Sequence, residues 1–182
     1  MSHASCPLDT GRPREPAAGL LVTLQSAAAP SQSAVTLRAA ALTDANALDA
    51  LETRAFTHDR IARRSFVRFV TSPNASLIVA EGNDAICGYA LVLFRPRSRL
   101  ARLYSIAIDG EHARRQIGSR LLSAAEDAAY ARGSKAIGLE VSDGNKAARN
   151  LYEMFGYRLI EPLSAYYEDG SDALRLQKLL DR

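Results

Sequence analysis

The chain has 182 residues, 47% hydrophobic and 24% charged, which suits one ordinary domain with its own core and sets aside disordered and fibrous classes. Its 23 basic and 20 acidic residues leave a formal net charge of +3 without a basic block, so nucleic acid is not an expected partner. Cys6 and Cys87 lie far apart and suggest neither a disulfide framework nor a thiolate metal site; a reducing, cytoplasmic setting is expected. No apolar run approaches the roughly 20 residues that span a bilayer, so no membrane partner is expected either.

Residues 1–34 are rich in Ala, Ser and Pro and read as a disordered leader, with the folded domain over 35–182. Arg12 and Arg14 ahead of the apolar Ala17 to Leu24 imitate a secretory signal, but Glu15 and Pro16 interrupt the junction and the apolar stretch is short. From Val35 a short strand reaches Arg38, and Thr43 or Asp44 caps a helix with Ala47, Leu48, Leu51 and Ala55 on one face. Asp59 opens a second helix carrying Ile61, Phe66, Phe69 and Val70, which ends before Pro73. The period then switches to two, giving strands over Leu77 to Glu81, Ala85 to Phe94 and Arg99 to Ile108, with Gly82-Asn83-Asp84 as a turn. A helix from Ile117 to Arg132 carries an apolar stripe of Leu121, Leu122, Ala125 and Ala129 and stops at Gly133. Lys135 to Ser142 is a strand, Asn145 to Phe155 a helix ended by Gly156, and Tyr157 to Ile160 with Ala173 to Leu179 are two late strands. This order predicts an α/β (α+β) fold, a mixed sheet with helices on both faces.

The connection out of the strand ending at Ile108 is the first chemical signal. Asp109-Gly110-Glu111-His112-Ala113-Arg114-Arg115-Gln116-Ile117-Gly118-Ser119-Arg120 carries a basic, Gly-containing turn into a helix start, where backbone N–H groups and the helix dipole can hold phosphate. The same residues also fit a solvated helix entrance rich in arginine.

The run Arg102 to Asp109, this turn, and Leu139-Glu140-Val141 through Asn145 to Leu151-Tyr152-Glu153-Met154-Phe155-Gly156-Tyr157 resemble the GCN5-related N-acetyltransferase superfamily. Among its members they most resemble the bacterial ribosomal-protein-alanine type, over about Thr36 to Leu180. The resemblance implies the acyl-CoA N-acyltransferase fold with a mostly antiparallel sheet, acetyl-CoA as cosubstrate, and an amine-bearing small molecule or protein N-terminus as partner. The family's pyrophosphate turn is kept only in part, its matching positions being Ala113, Gln116 and Gly118. Arg114, Arg115, Gln116, Ile117, Gly118 and Ser119 are the implied pyrophosphate contacts. Ser105, Ile106 and Ile108 are the implied main-chain partners of the pantetheine arm, and Asn145 either contacts that arm or caps its helix.

Amine acylation needs a base for the nucleophile and an acid for the departing thiolate. Glu140, between Leu139 and Val141, is either partly desolvated or a strand-edge charge facing water. Tyr152 is either a core tyrosine or a proton donor, since an ordinary tyrosine, pKa about 10, stays protonated beside a thiolate whose acid has a pKa of about 8.5. The resemblance implies Glu140 as general base and Tyr152 as general acid, twelve residues apart as in the related enzymes. It further implies that Tyr166 and Tyr167, exposed in a Tyr-Tyr-Glu-Asp-Gly loop, grip a peptide N-terminus; a plain polar hairpin turn is the other reading. Arg63, Arg64 and Arg68 read as a solvated helix face. His3, His58 and His112 are scattered, and no metal-ligand spacing, Walker loop or serine elbow is present, so no metal is expected. The alternative to an N-acetyltransferase is a non-catalytic acyl-CoA-sensing or protein-interaction module on the same fold, favoured by the altered turn at Ala113 and Gln116.

Overall fold

A computed structural model describes residues 35–56, 60–83, 85–110 and 116–181. The leader over 1–34, Asp59, Asp84 and the turn residues Ala113, Arg114 and Arg115 lie outside the described residues. The elements are β1 (Thr36–Ala39), a single 3-10 turn (Leu42–Asp44), α1 (Ala45–Ala55), α2 (Arg63–Thr71), β2 (Ala75–Gly82), β3 (Ala85–Leu93), β4 (Leu100–Ile108), α3 (Ile117–Ala131), β5 (Ala136–Ser142), α4 (Lys146–Met154), β6 (Arg158–Leu163) and β7 (Ala173–Leu179). They form one seven-stranded sheet in the order β1-β2-β3-β4-β5-β7-β6. Every neighbouring pair is antiparallel except β4 with β5.

The expected mixed, mostly antiparallel sheet with helices on both faces is therefore found, while several strand and helix ends, and one helix face, differ. The second helix begins at Arg63, leaving Ile61 before it as a buried residue of the connection. On α1 the inward face is Ala45, Leu48, Leu51 and Ala55, while Ala47 is exposed. The spacing of three and four residues runs from Ala45, so Ala47 falls on the outer side.

Each sheet face has its own core. Leu103, Ile106, Ile137, Leu139 and Val141 pack with Ile117, Leu121 and Leu122 of α3 and with Leu151 and Tyr152 of α4. On the other face Tyr89, Leu91 and Ala107 pack with Leu48 and Leu51 of α1 and Phe66 of α2. At one end of the sheet Arg38 clasps both Asp44 and Glu81 at 2.7 and 2.8 Å, tying β1, the 3-10 turn and β2 together.

Two backbone features set the site. The first is Gly88, where a Cβ would stand 3.0 Å from the carbonyl oxygen of Ala107 and 3.1 Å from Leu121, so glycine is what lets the first turns of α3 settle on β3. The second is a bulge. Leu91 pairs with Ser105 and Val92 with Leu103, so Tyr104 is an extra residue in β4. Leu103 and Ile106 face the α3 core, whereas the two residues between them both turn to the α1 side: Tyr104 packs there and the Ser105 hydroxyl meets Tyr89.

Gly88→Ala is expected to cost about 1–3 kcal/mol, because the Ala107 carbonyl cannot withdraw and α3 must lift. Urea unfolding measures this; a variant as stable as the wild type would show that α3 is not seated by this contact.

Candidate active site

β4 and β5 part company. They pair only at Leu100 with Ala136, Ala101 with Ile137 and Arg102 with Gly138. Beyond that, β4 continues through Leu103 to Ile108 and β5 through Leu139 to Ser142 without pairing to each other, while β3 and β7 stay bonded to their outer sides. The result is a fork whose inner edges carry strand N–H and C=O groups that no sheet partner satisfies, which suits an extended ligand with amides of its own. Ser105, Ile106 and Ile108 all lie on this stretch of β4, each buried.

The mouth of the fork is the start of α3. Gln116 stands just before the helix in a left-handed conformation, φ 56° and ψ 15°, and its own side chain does not cap the helix. A non-glycine residue there costs about 1–2 kcal/mol, so Gln116 holds under strain a backbone geometry that glycine takes freely. Ile117 and Gly118 are buried and Ser119 half-buried, and the first turn holds no acidic residue, so its N–H groups and dipole are suited to an anion. Asp109, at the end of β4, is held by Arg54 of α1 at 2.7 Å.

Glu140 and Tyr152 flank the fork on opposite faces. Alternation along β5 sends Leu139 and Val141 into the core that contains Tyr152, so Glu140 points to the α1 side. Glu140 is nearly buried rather than facing water, and two guanidinium groups grip it: Arg102 at 2.7 Å from one oxygen and Arg175, directly across on β7, at 3.0 Å from the other. Arg175 also bonds Glu161 of β6, and Arg102 lies over the Tyr104 ring at 5.8 Å. Only the Arg175 contact is a hydrogen bond; the oxygen beside Arg102 is ion-paired but lacks a hydrogen-bond partner among the described residues.

Tyr152 is fully buried, and its hydroxyl has no hydrogen-bond partner. Burial, then the neighbouring Tyr167, pushes its pKa upward, so it keeps its proton at any pH compatible with folding. An orphaned buried donor beside the fork fits a ligand atom that accepts a hydrogen bond there. Asn145 caps α4, its side chain accepting from the Ala148 N–H at 3.1 Å, which is the capping reading of that residue.

The tyrosine pair departs from expectation. Tyr167 is buried and Tyr166 half-buried, because both backbone N–H groups bond the Ser171 carbonyl and the rings pack edge-on at 5.1 Å. Tyr166 accepts from Arg102 at 3.1 Å, and Tyr167 approaches Tyr152, so the pair reaches from the Glu140 side of the fork to the Tyr152 side. Asp169 closes the loop onto Ser171, while Glu168 stays exposed. Arg63, Arg64 and Arg68 are exposed on α2, as a solvated face would be.

One group was not singled out from the sequence. Glu52, on the inward face of α1, is buried, accepts the Ile61 N–H at 2.8 Å and the Tyr89 hydroxyl at 2.5 Å, and Tyr89 in turn meets Ser105 at 2.7 Å. Desolvation pushes the Glu52 carboxyl up to about 7 against those two hydrogen bonds. The signal lay in spacing, since Leu48, Leu51, Glu52 and Ala55 share one helical stripe. Among the described residues, no cluster of His, Cys, Asp or Glu could hold a metal and no helix is long and apolar enough to cross a membrane.

A model of the acetyltransferase (GNAT) family matches residues 43–157, well over half of the chain. The protein belongs to this family and is an acetyltransferase. It is similar to the N-terminal acetyltransferase A complex catalytic subunit NAA10 of Arabidopsis thaliana, with 26% identity over 150 residues, covering 80% of this chain and 78% of that protein. Its fold matches the ribosomal-protein-S18-alanine N-acetyltransferase from Escherichia coli with a TM-score of 0.73 at 25% identity, covering 82% of this chain and 96% of that one. Ard1 from Thermoplasma volcanium shares the fold with a TM-score of 0.75 at 20% identity, covering 81% and 99% of the two chains. So does yncA from Salmonella typhimurium, a structure determined with acetyl-CoA, with a TM-score of 0.69 at 20% identity over 81% and 95%.

A carboxyl group with a raised folded-state pKa favours folding at low pH and loses that contribution as pH rises from its ordinary value through about 7. Between mildly acidic and mildly alkaline pH the wild type should therefore lose on the order of 2 kcal/mol relative to Glu52→Gln. Urea midpoints at the two pH values test this, and parallel curves for the two proteins would contradict it.

Proposed function

We propose that this protein moves an acetyl group from acetyl-CoA to a primary amine, either a protein N-terminus or a small amine, by direct attack. The fork between β4 and β5, together with a helix start that the Gln116 side chain leaves uncapped, is the observation that carries this reading. The acyl donor's extended arm would lie along Ser105, Ile106 and Ile108, and its pyrophosphate against the N–H groups at Gln116, Ile117, Gly118 and Ser119. Arg114 and Arg115 belong to the same turn and would add charge. Bound there, acetyl-CoA supplies an activated thioester. The activities of the plant and Escherichia coli relatives favour a protein N-terminus within the amine class.

The acceptor amine enters from the α1 side, past Tyr166, and Glu140 takes its proton. An incoming ammonium competes with Arg102 and Arg175 for the carboxylate, so the resting ion pairs hold Glu140 in place and open as the amine arrives. From the opposite face Tyr152 donates to the departing sulfur, its unpartnered hydroxyl being the group that such a thiolate would satisfy. The Tyr157 ring, 5.5 Å from that of Tyr152, packs beside it. The acyl group would then react between a carboxylate on one face of the sheet and a phenol on the other.

Single-turnover transfer of labelled acetyl to a peptide beginning with alanine tests the assignment. Tyr152→Phe and Glu140→Gln should each lower the rate by about 10²–10⁴-fold, the usual range for removing a general acid or base, with acetyl-CoA affinity kept within a few-fold. Full activity in either variant removes that residue from the chemistry.

A further inference from the structure

Glu52 takes no part in the steps above, yet four pieces of the acceptor side meet at it: α1, which carries it; Ile61 in the α1–α2 connection; Tyr89 on β3; and, through Tyr89, Ser105 on β4. Ser105 is the residue immediately after the extra residue of the β4 bulge, on the stretch where the fork opens. The same face is closed by α2, whose Phe66 meets the Tyr89 ring edge-on at 5.4 Å and whose Phe69 lies 6.0 Å from the Tyr104 ring.

The hydroxyl chain has a direction. With Glu52 ionised, Ser105 donates to Tyr89, Tyr89 donates to one carboxylate oxygen and the Ile61 N–H to the other, so every proton has an acceptor. If Glu52 is protonated toward Tyr89, the chain reverses: Tyr89 must donate to Ser105, and the Ser105 proton is turned loose in a layer lined by Leu91 and Ala107.

We propose that Glu52 is a positioning residue of the transfer site, holding the β4 bulge through Tyr89 and Ser105 and the α1–α2 connection through Ile61, so that both walls of the acceptor side keep one register. This role rests on the acetyl-transfer reading. Glu52 faces Asp49, which resists its ionisation, and Arg60 of the connection, which favours it; β3 brings Tyr89, near Tyr104 of β4, and α2 brings the Phe66 ring. Burial pushes Tyr89 well above the ordinary phenol range, so it relays hydrogen bonds without ionising, while Glu52, held up to about 7, exchanges between the two chain directions in the neutral range.

Amide spectra of the full chain recorded across neutral pH test this, beside transfer kinetics with acetyl-CoA and the alanine peptide. In the wild type the Ile61 and Ser105 amides should shift with one shared midpoint. Glu52→Gln should abolish both shifts, and Tyr89→Phe should keep the Ile61 shift and abolish that of Ser105. Each variant, and the milder Ser105→Ala, should lower kcat about tenfold with the acetyl-CoA Kd unchanged within about twofold, and the Glu52→Gln/Tyr89→Phe double variant should be no worse than either single one. Separate midpoints for the two amides, or Glu52→Gln turning over like the wild type, would overturn the positioning role alone. A wild type that binds acetyl-CoA but acetylates no peptide, lysine or polyamine amine would overturn the transfer reading and this role with it.

Discussion

Strand edges buried in a protein must find hydrogen-bond partners, and here β4 and β5 stop providing them to each other after three paired residues. The rest of the molecule answers to that parting. β3 and β7 hold the two prongs from outside, the bulge at Tyr104 turns β4 so that two successive side chains face α1, and Gly88 lets α3 press its start against the open end. A sheet that closed over this gap would be a better sheet and would have no place for an extended, amide-bearing ligand.

The charges are arranged around the same gap. On the α1 side, Glu140 is held between Arg102 and Arg175, with Glu161 and Tyr166 completing the cluster, so a nearly buried carboxylate is stabilised without being left alone. On the other side lies the Tyr152 hydroxyl, kept protonated by burial and without a hydrogen-bond partner among the described residues. A paired carboxylate on one face and a donor awaiting an acceptor on the other is the asymmetry that the proposed acylation would use. Glu52 adds a third carboxylate, spent on backbone and hydroxyl groups and not on an arginine.

Much of this was readable before folding. Alternation over Ala85 to Ile108 and the stripe Leu121, Leu122, Ala125, Ala129 located β3, β4 and α3, and Gly133 and Gly156 take the positive φ expected where helices stop. What could not be read was pairing at a distance. No local pattern says that Arg175 lands opposite Glu140, that Arg102 reaches across from β4, or that Tyr166 and Tyr167 turn inward to join the two sides; these depend on register between strands far apart in sequence. Gln116 could be read from the sequence only as a departure from a glycine-bearing turn, while its left-handed backbone, a conformation that glycine takes readily, came from the structure. Glu52 was legible in principle, as a charge on an apolar helical stripe, but its partners on β3 and β4 were not.

The account stands on the fork and the helix start acting together on one extended ligand. Calorimetric titration of the wild type with acetyl-CoA, beside the adenosine diphosphate fragment that lacks the pantetheine arm, tests that claim directly. Micromolar binding of acetyl-CoA with much weaker binding of the fragment is the predicted result. No binding at millimolar acetyl-CoA, or a fragment that binds as tightly as the whole molecule, would contradict it.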